Sequence, residues 1–315
     1  MAPILPLELQ LHVLELALPP LIRRNLDERV RLCKAFSLVH RSWTRTAQRE
    51  LHEHLSIFYD EPARVDTVAQ ERIAAAKEGG WRFKRVDIEL DTGIFNAGIL
   101  EGYVLDNEQW RLQRDPADFG DLDEMWISMA FADFESFGAT SLRRLHIFDR
   151  HVRETAAMLY HLPPRLTYLA FHNGGFPTYW NSNILVNLTT LVLEDIEECS
   201  WDILPRKTSL RVLCLKSRHP AFETDALERM PFLEHIAVAA VDTKALEEYF
   251  SRGERLSLPP TLKRFTLVSS EELPAVRRAI QVACTESGAQ PSIHVMSQEE
   301  LNDWDPEEWA YSVGA

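Results

Sequence analysis

The sequence predicts an α/β chain: a small helical N-terminal domain followed by a curved array of stacked strand-plus-helix units. Three observations carry this. Residues 4–55 show apolar positions at helical spacing, with clear start and stop signals. From residue 83 onward an apolar-x-x-apolar-x-apolar pattern recurs at near-equal intervals. The formal charge also shifts in steps, from +2 over residues 1–58 to −10 over 59–140, zero over 141–290 and −6 over 291–315. The expected division is a helical domain at 1–58, a linking helix at 59–80, an array at 81–297 with an acidic insertion near 92–124, and an acidic-aromatic tail or cap at 298–315.

The first helix begins at Pro6, with Glu8 in its first turn, and stops at Pro19-Pro20. Two apolar rows run along it, Leu9, Val13 and Leu16 in one and Leu7, Leu11 and Leu14 in the other. A second helix spans Asp27 to Val39. A third, Ser42 to Leu55, sets Trp43, Ala47, Leu51 and Leu55 at steps of four. About 55 residues of short helices barely bury their own apolar faces. The surplus points to a partner.

Triplets of the recurring pattern stand at Phe83/Val86/Ile88, Leu142/Leu145/Ile147, Leu166/Leu169/Phe171, Leu188/Leu191/Leu193, Leu210/Leu213/Leu215, Leu233/Ile236/Val238 and Leu262/Phe265/Leu267, with a weaker last strand ending in Ile293/Val295. From Leu142 onward the spacings are 24, 22, 22, 23 and 29 residues. Alternate strand residues face the core and those between face outward. Helical segments are expected at 151–162, 225–230, 243–252 and 273–286, and an amphipathic helix at 125–137. A strand and a helix cannot bury themselves alone, so such units must stack.

Two resemblances follow from these residues. Leu5-Pro6-Leu7-Glu8-Leu9, Leu38-Val39-His40-Arg41-Ser42-Trp43 and Ala47-Gln48-Arg49-Glu50-Leu51, with His54-Leu55-Ser56-Ile57 after them, resemble an F-box over residues 4–57. His40 stands where that family usually has Cys, and the Pro19–Glu28 connection is longer than in its compact members. The recurring triplets resemble degenerate leucine-rich repeats, with the family's Asn mostly missing. Together they imply an N-terminal three-helix F-box followed by a curved leucine-rich-repeat-like solenoid. The implied role is substrate recognition in a Skp–cullin–F-box ubiquitin ligase, with a Skp-type adaptor, through it a cullin, and an unknown target protein as partners. A repeat scaffold that binds the adaptor without ubiquitin transfer is the alternative.

The resemblance assigns adaptor binding to Leu5, Pro6, Leu9, Val39 and Trp43, although Trp43 could instead fill the helical core. Target binding is expected on the concave strand face, where outward positions carry Arg144, His146, Phe148, Tyr168, His172, Val192, Glu194, Cys214, Lys216, His235 and Arg264. Packing of Phe148 and Tyr168 under a neighbouring loop is the competing reading. The tail, with Leu301, Trp304, Trp309 and Tyr311 among six acidic groups, caps the last repeat or acts as a lure or mimic for a partner site.

Composition and motifs narrow the remaining classes. With 15 Phe, 8 Trp and 7 Tyr the chain is not disordered throughout, and no apolar run has the roughly 20 residues of a membrane span. A net charge of −14 disfavours nucleic acid and anionic membrane as partners. The start has no basic n-region, so an intracellular, cytoplasmic or nuclear setting is expected. Cys33, Cys199, Cys214 and Cys284 lie too far apart for the usual zinc or dithiol spacings. No G-x-S-x-G, G-x-G-x-x-G or G-x-x-x-x-G-K occurs. His52-Glu53-His54 lacks the H-E-x-x-H spacing, and Asp115–Trp126 lacks calcium ligands at positions three and twelve. The Asn187-Leu188-Thr189 triplet lies inside an expected repeat core. Neither catalysis nor a cofactor is expected. The acidic insertion is either a solvated loop anchored by Trp110 and Phe119 or a contact for a basic partner.

Overall fold

A computed structural model describes residues 6–19, 21, 25–59, 67–90, 122–128, 141–148, 163, 165–172, 185–195, 209–217, 227, 230–251 and 256–314. Leu5, Cys199, the insertion up to residue 121 and the expected helix at 151–162 lie outside the described residues. Packing divides the chain into two units, residues 1–125 with 136–139, and residues 126–135 with 140–315.

Ten strands form one sheet in chain order: β1 (His54–Tyr59), β2 (Arg85–Leu90), β3 (Glu124–Ser128), β4 (Arg144–Phe148), β5 (Tyr168–His172), β6 (Thr190–Glu194), β7 (Val212–Ser217), β8 (His235–Ala240), β9 (Arg264–Ser269) and β10 (Gln290–Val295). The sheet is parallel. This corrects the expected three-helix F-box followed by a curved leucine-rich-repeat-like solenoid: the fold is an α/β sheet, and the sheet is not a solenoid. The physical reason is that an apolar triplet records which strand residues are buried; it does not record how strands are joined. Among the described residues, α-helices longer than a turn join only β1 to β2, β8 to β9 and β9 to β10, and a 3-10 turn at Leu185–Asn187 precedes β6. Two local expectations are corrected with it. Residues 54–55 are strand and not the end of the third helix, and 125–128 are strand where a helix from Met125 was expected.

In the first unit, α1 (Leu7–Ala17), α2 (Leu26–Val39) and α3 (Arg41–His52) pack around Leu14, Leu18 and Cys33, with Phe36, Trp43 and Leu51 against them. The Gln10 amide donates to the Pro6 carbonyl at 3.0 Å, which sets the first turn of α1. His40 caps α3 by accepting from the Ser42 amide at 3.2 Å. Helix α4 (Thr67–Gly79) is tied back by Arg72, which donates to the carbonyls of Leu51 and His54 at 3.0 and 2.5 Å.

In the second unit, rungs of aligned residues cross the strands. One core rung runs Leu145, Leu169, Leu191, Leu213, Ile236 and Phe265, and the next Ile147, Phe171, Leu193, Leu215, Val238 and Leu267. All are buried, and at roughly 1.5–3 kcal/mol for each buried aliphatic or Phe side chain they dominate the stability of this unit. Two helices, α5 (Thr243–Ser251) and α6 (Pro274–Ser287), flank β9 in sequence. Pro274 opens α6, and Gly288 closes it in the left-handed region at φ 79°. The edge strand β10 sends the Gln290 amide to the Lys263 carbonyl. Ladder alternation therefore turns Pro291 outward, where a missing N–H blunts edge pairing. The chain ends in α7 (Gln298–Asp303) and α8 (Pro306–Gly314). Ser297 and Glu300 form a capping box on α7. Among the described residues, no helix is long and apolar enough to cross a membrane.

Candidate functional site

Each unit contributes one candidate surface. In the first, the apolar rows of α1 are used internally only at Leu14 and, in part, Leu11; Leu7 of the same row is exposed. Leu14 is buried, whereas Leu9 (50% exposed), Val13 and Leu16 (72%) face solvent. At the end of α2, Leu38 and Val39 are 87% and 64% exposed. Of the expected adaptor residues, Pro6, Leu9 and Val39 lie on the surface, and Leu5 is outside the described residues. Trp43 is half-buried. Its ring meets Phe36 edge-on with centroids 6.0 Å apart, and its indole N–H donates to Gln10 Oε1 at 3.1 Å. That placement gives Trp43 a packing role between α1 and α3.

Behind these helices is a buried polar group that the sequence reading did not single out. Arg85 is fully buried in β2, with Nε donating to Asp87 Oδ1 at 2.8 Å and Nη1 to Glu124 Oε1 at 2.5 Å. Nη1 also reaches the Leu21 carbonyl in the α1–α2 connection, at 3.1 Å. His54 Nε2 lies 3.2 Å from Asp87 Oδ2. Burial alone would raise the Asp87 carboxyl, but the hydrogen bond from His54 and the charge of Arg85 outweigh it and hold it below its ordinary value. The available signal was Arg85 and Asp87 on either side of core Val86, two opposite charges on one face of a strand.

In the second unit the expected target-binding residues lie together on the face opposite the core rungs, and α7 and α8 lie over much of it. The middle rung there is His146, Ala170, Val192, Cys214, Ala237 and Thr266. Ala170, Val192, Cys214 and Ala237 are small enough to leave a trough, and Ala310 of α8 sits in it with Trp304, Trp309 and Val313 alongside. Leu301 of α7 packs on Ala239 and Val268. A covered face was signalled by that run of small apolar residues at outward positions, where a solvated strand would carry charge.

Polar groups border the trough. Lys216 is buried and donates to the carbonyls of Asn302 and Trp304, both at 2.9 Å, and to Glu194 Oε1 at 3.0 Å. His172 Nδ1 lies 2.7 Å from Glu194 Oε2. The His146 ring is fully buried, stacks on His172 with centroids 5.8 Å apart, and has Nε2 3.8 Å from Glu307. Arg144 holds its guanidinium 4.4 Å from the Tyr168 ring centroid and 3.6 Å from that of Tyr311. Phe148 stacks on Trp126 of β3 at 5.6 Å, a contact with a strand residue and not with a loop. Tyr168 is buried, His235 half-buried and Arg264 exposed. The tail thus packs on the sheet face, over strands β4 to β9. Burial pushes the Cys214 thiol well up, and those of Cys33 and Cys284 to about 11, so all three are packing groups.

Glu194 makes this cluster sensitive to acid. Burial raises its carboxyl, but the hydrogen bond from His172 and the charge of Lys216 prevail and bring it to about 2. A carboxyl lower in the folded than in the unfolded chain stabilises the fold above its unfolded value, near 4.5, and that stability drains away as pH falls toward 2. The full shift corresponds to roughly 3 kcal/mol. Glu194→Gln is therefore expected to destabilise at pH 7 and to flatten the loss between about pH 4.5 and 2, read by denaturant melts across that range. Equal slopes in the two proteins would show that Glu194 is not the group responsible.

No family model matches the chain, and no curated protein matches it.

Proposed function

We propose that the chain is a substrate-recognition subunit of a Skp–cullin–F-box ubiquitin ligase, docking on a Skp-type adaptor through its N-terminal helices and holding a target protein on its sheet. The observation that carries this reading is the exposed apolar row of α1, Leu9, Val13 and Leu16, together with exposed Leu38 and Val39, in the stretch that resembles an F-box. Five large aliphatic side chains left in water on two short helices suit an interface better than a solvated surface. The proposed protein acts by proximity. It raises the effective concentration of target lysines near the conjugating enzyme and performs no bond chemistry itself.

The test is co-purification of the full chain with a Skp-type adaptor, comparing wild type with Leu9→Asp/Val39→Asp. Both side chains are exposed, so stability should change little. Adaptor capture should fall at least 30-fold, matching about 2 kcal/mol for the core of such an interface. A folded double variant that captures adaptor at the wild-type level overturns the reading. Where capture holds, target turnover separates a degradative receptor from a scaffold that binds the adaptor alone.

A further inference from the structure

The C-terminal segment occupies the face on which a target would be held, and its contacts are of a kind another peptide could reproduce. The ammonium of Lys216 binds two main-chain carbonyls, of Asn302 and Trp304, which any chain can supply. The remaining grip is shape and charge: Leu301 between Ala239 and Val268, Ala310 in the small-residue trough, and Tyr311 under the Arg144 guanidinium. Residues 298–315 carry six acidic groups and no basic one, opposite a face that presents Arg144, Lys216 and two His with Glu194 paired among them, and Glu307 comes to 3.8 Å from His146. Helices of 6 and 9 residues do not persist in water by themselves, so this segment takes its shape from the face. Trp304 and Trp309 are only partly buried there, in contrast to the sealed core rungs.

We propose that the face of β4–β9 opposite the core is a peptide-binding surface kept closed by residues 297–314, and that the partner admitted in exchange is an acidic, tryptophan-bearing helical segment of another protein. The inference rests on the receptor reading only in taking the sheet as the part that holds a target. The tethered tail competes at an effective concentration that a free peptide must match, so occupancy is regulated by whatever loosens the tail.

The probe is a fluorescent synthetic peptide of residues 297–314, added to the full chain and followed by anisotropy. Wild type should bind it weakly. Leu301→Asp weakens the resident tail without touching the face, and should raise affinity for the peptide at least 30-fold. Adding Lys216→Met to that variant should abolish the gain. Trp309→Ala is the milder companion should Leu301→Asp disturb folding, and hydrogen exchange on wild type needs no variant: tail amides should exchange at least tenfold faster than those of β7 and β8. A folded tail variant that gains no peptide binding overturns the proposal. So do tail and strand amides with equal protection, which would make the tail an integral part of the fold. Adaptor capture depends on the N-terminal helices. A chain that captures adaptor but refuses the peptide loses only this inference; one that takes the peptide but ignores adaptor loses only the receptor reading.

Discussion

Arg85→Met is expected to lower the stability of the chain by about 3–5 kcal/mol. The side chain is fully buried and is the counter-charge for two buried carboxylates, Asp87 and Glu124. Methionine fills part of the volume but leaves both acids facing low dielectric, His54 remaining as a partner of Asp87. The bond from Arg85 to the Leu21 carbonyl is lost as well, which frees the α1–α2 connection from the sheet. Denaturant titration at pH 7 measures the effect, and a loss below about 1 kcal/mol would refute the assignment. Two accompanying results are expected. Asp87→Asn with Glu124→Gln in the same chain should recover part of the loss, because it removes the stranded charges. The penalty should also shrink at acid pH, since protonating a stranded carboxylate removes the buried charge.

Lys216→Met should show the second largest effect, about 2–4 kcal/mol, or roughly 5–15 °C in melting temperature for a unit of this size. One ammonium satisfies three acceptors, the Glu194 carboxylate and the carbonyls of Asn302 and Trp304. Its removal leaves them under the tail with a thioether beside them. Tryptophan emission reports the consequence directly, since Trp304 and Trp309 flank the trough: a red shift at temperatures where the strand core is intact is the expected signature. Lys216→Arg should restore little, because a planar fork does not fit a site shaped for one compact ammonium. Unchanged melting and emission would remove Lys216 from the role of clasp.

How far the sequence could be read is clear from individual residues. In the triplets from Leu142 onward the last two apolar residues are the inward pair of a strand, as Leu145 and Ile147 are in β4 and Leu213 and Leu215 in β7. Period-two burial leaves that trace in any chain order. The helices α5 and α6 were legible as segments 243–252 and 273–286, within a residue of their observed ends. Strand β1 was not, because Leu51 and Leu55 stand four apart and a four-residue step serves a helix and a strand alike. Strand β3 failed for a related reason: Met125, Trp126 and Ile127 are consecutive apolar residues, with no period to choose between the two.

By itself, then, the sequence determined where chain segments alternate between inward and outward side chains, where two of the later helices lie, and that the short N-terminal helices hold more apolar surface than they can bury; which residues carry that surplus was decided by the structure. Only the tertiary structure decided that the strands join into one ten-stranded parallel sheet, that Arg85, Asp87, His54 and Glu124 close a buried ionic group, and that residues 298–314 lie across β4–β9. The reason is physical. Periodicity is local, and it reports the polarity of each residue's surroundings. Lys216 and the carbonyl of Asn302 are 86 residues apart, and nothing short of the folded chain brings that ammonium to that oxygen.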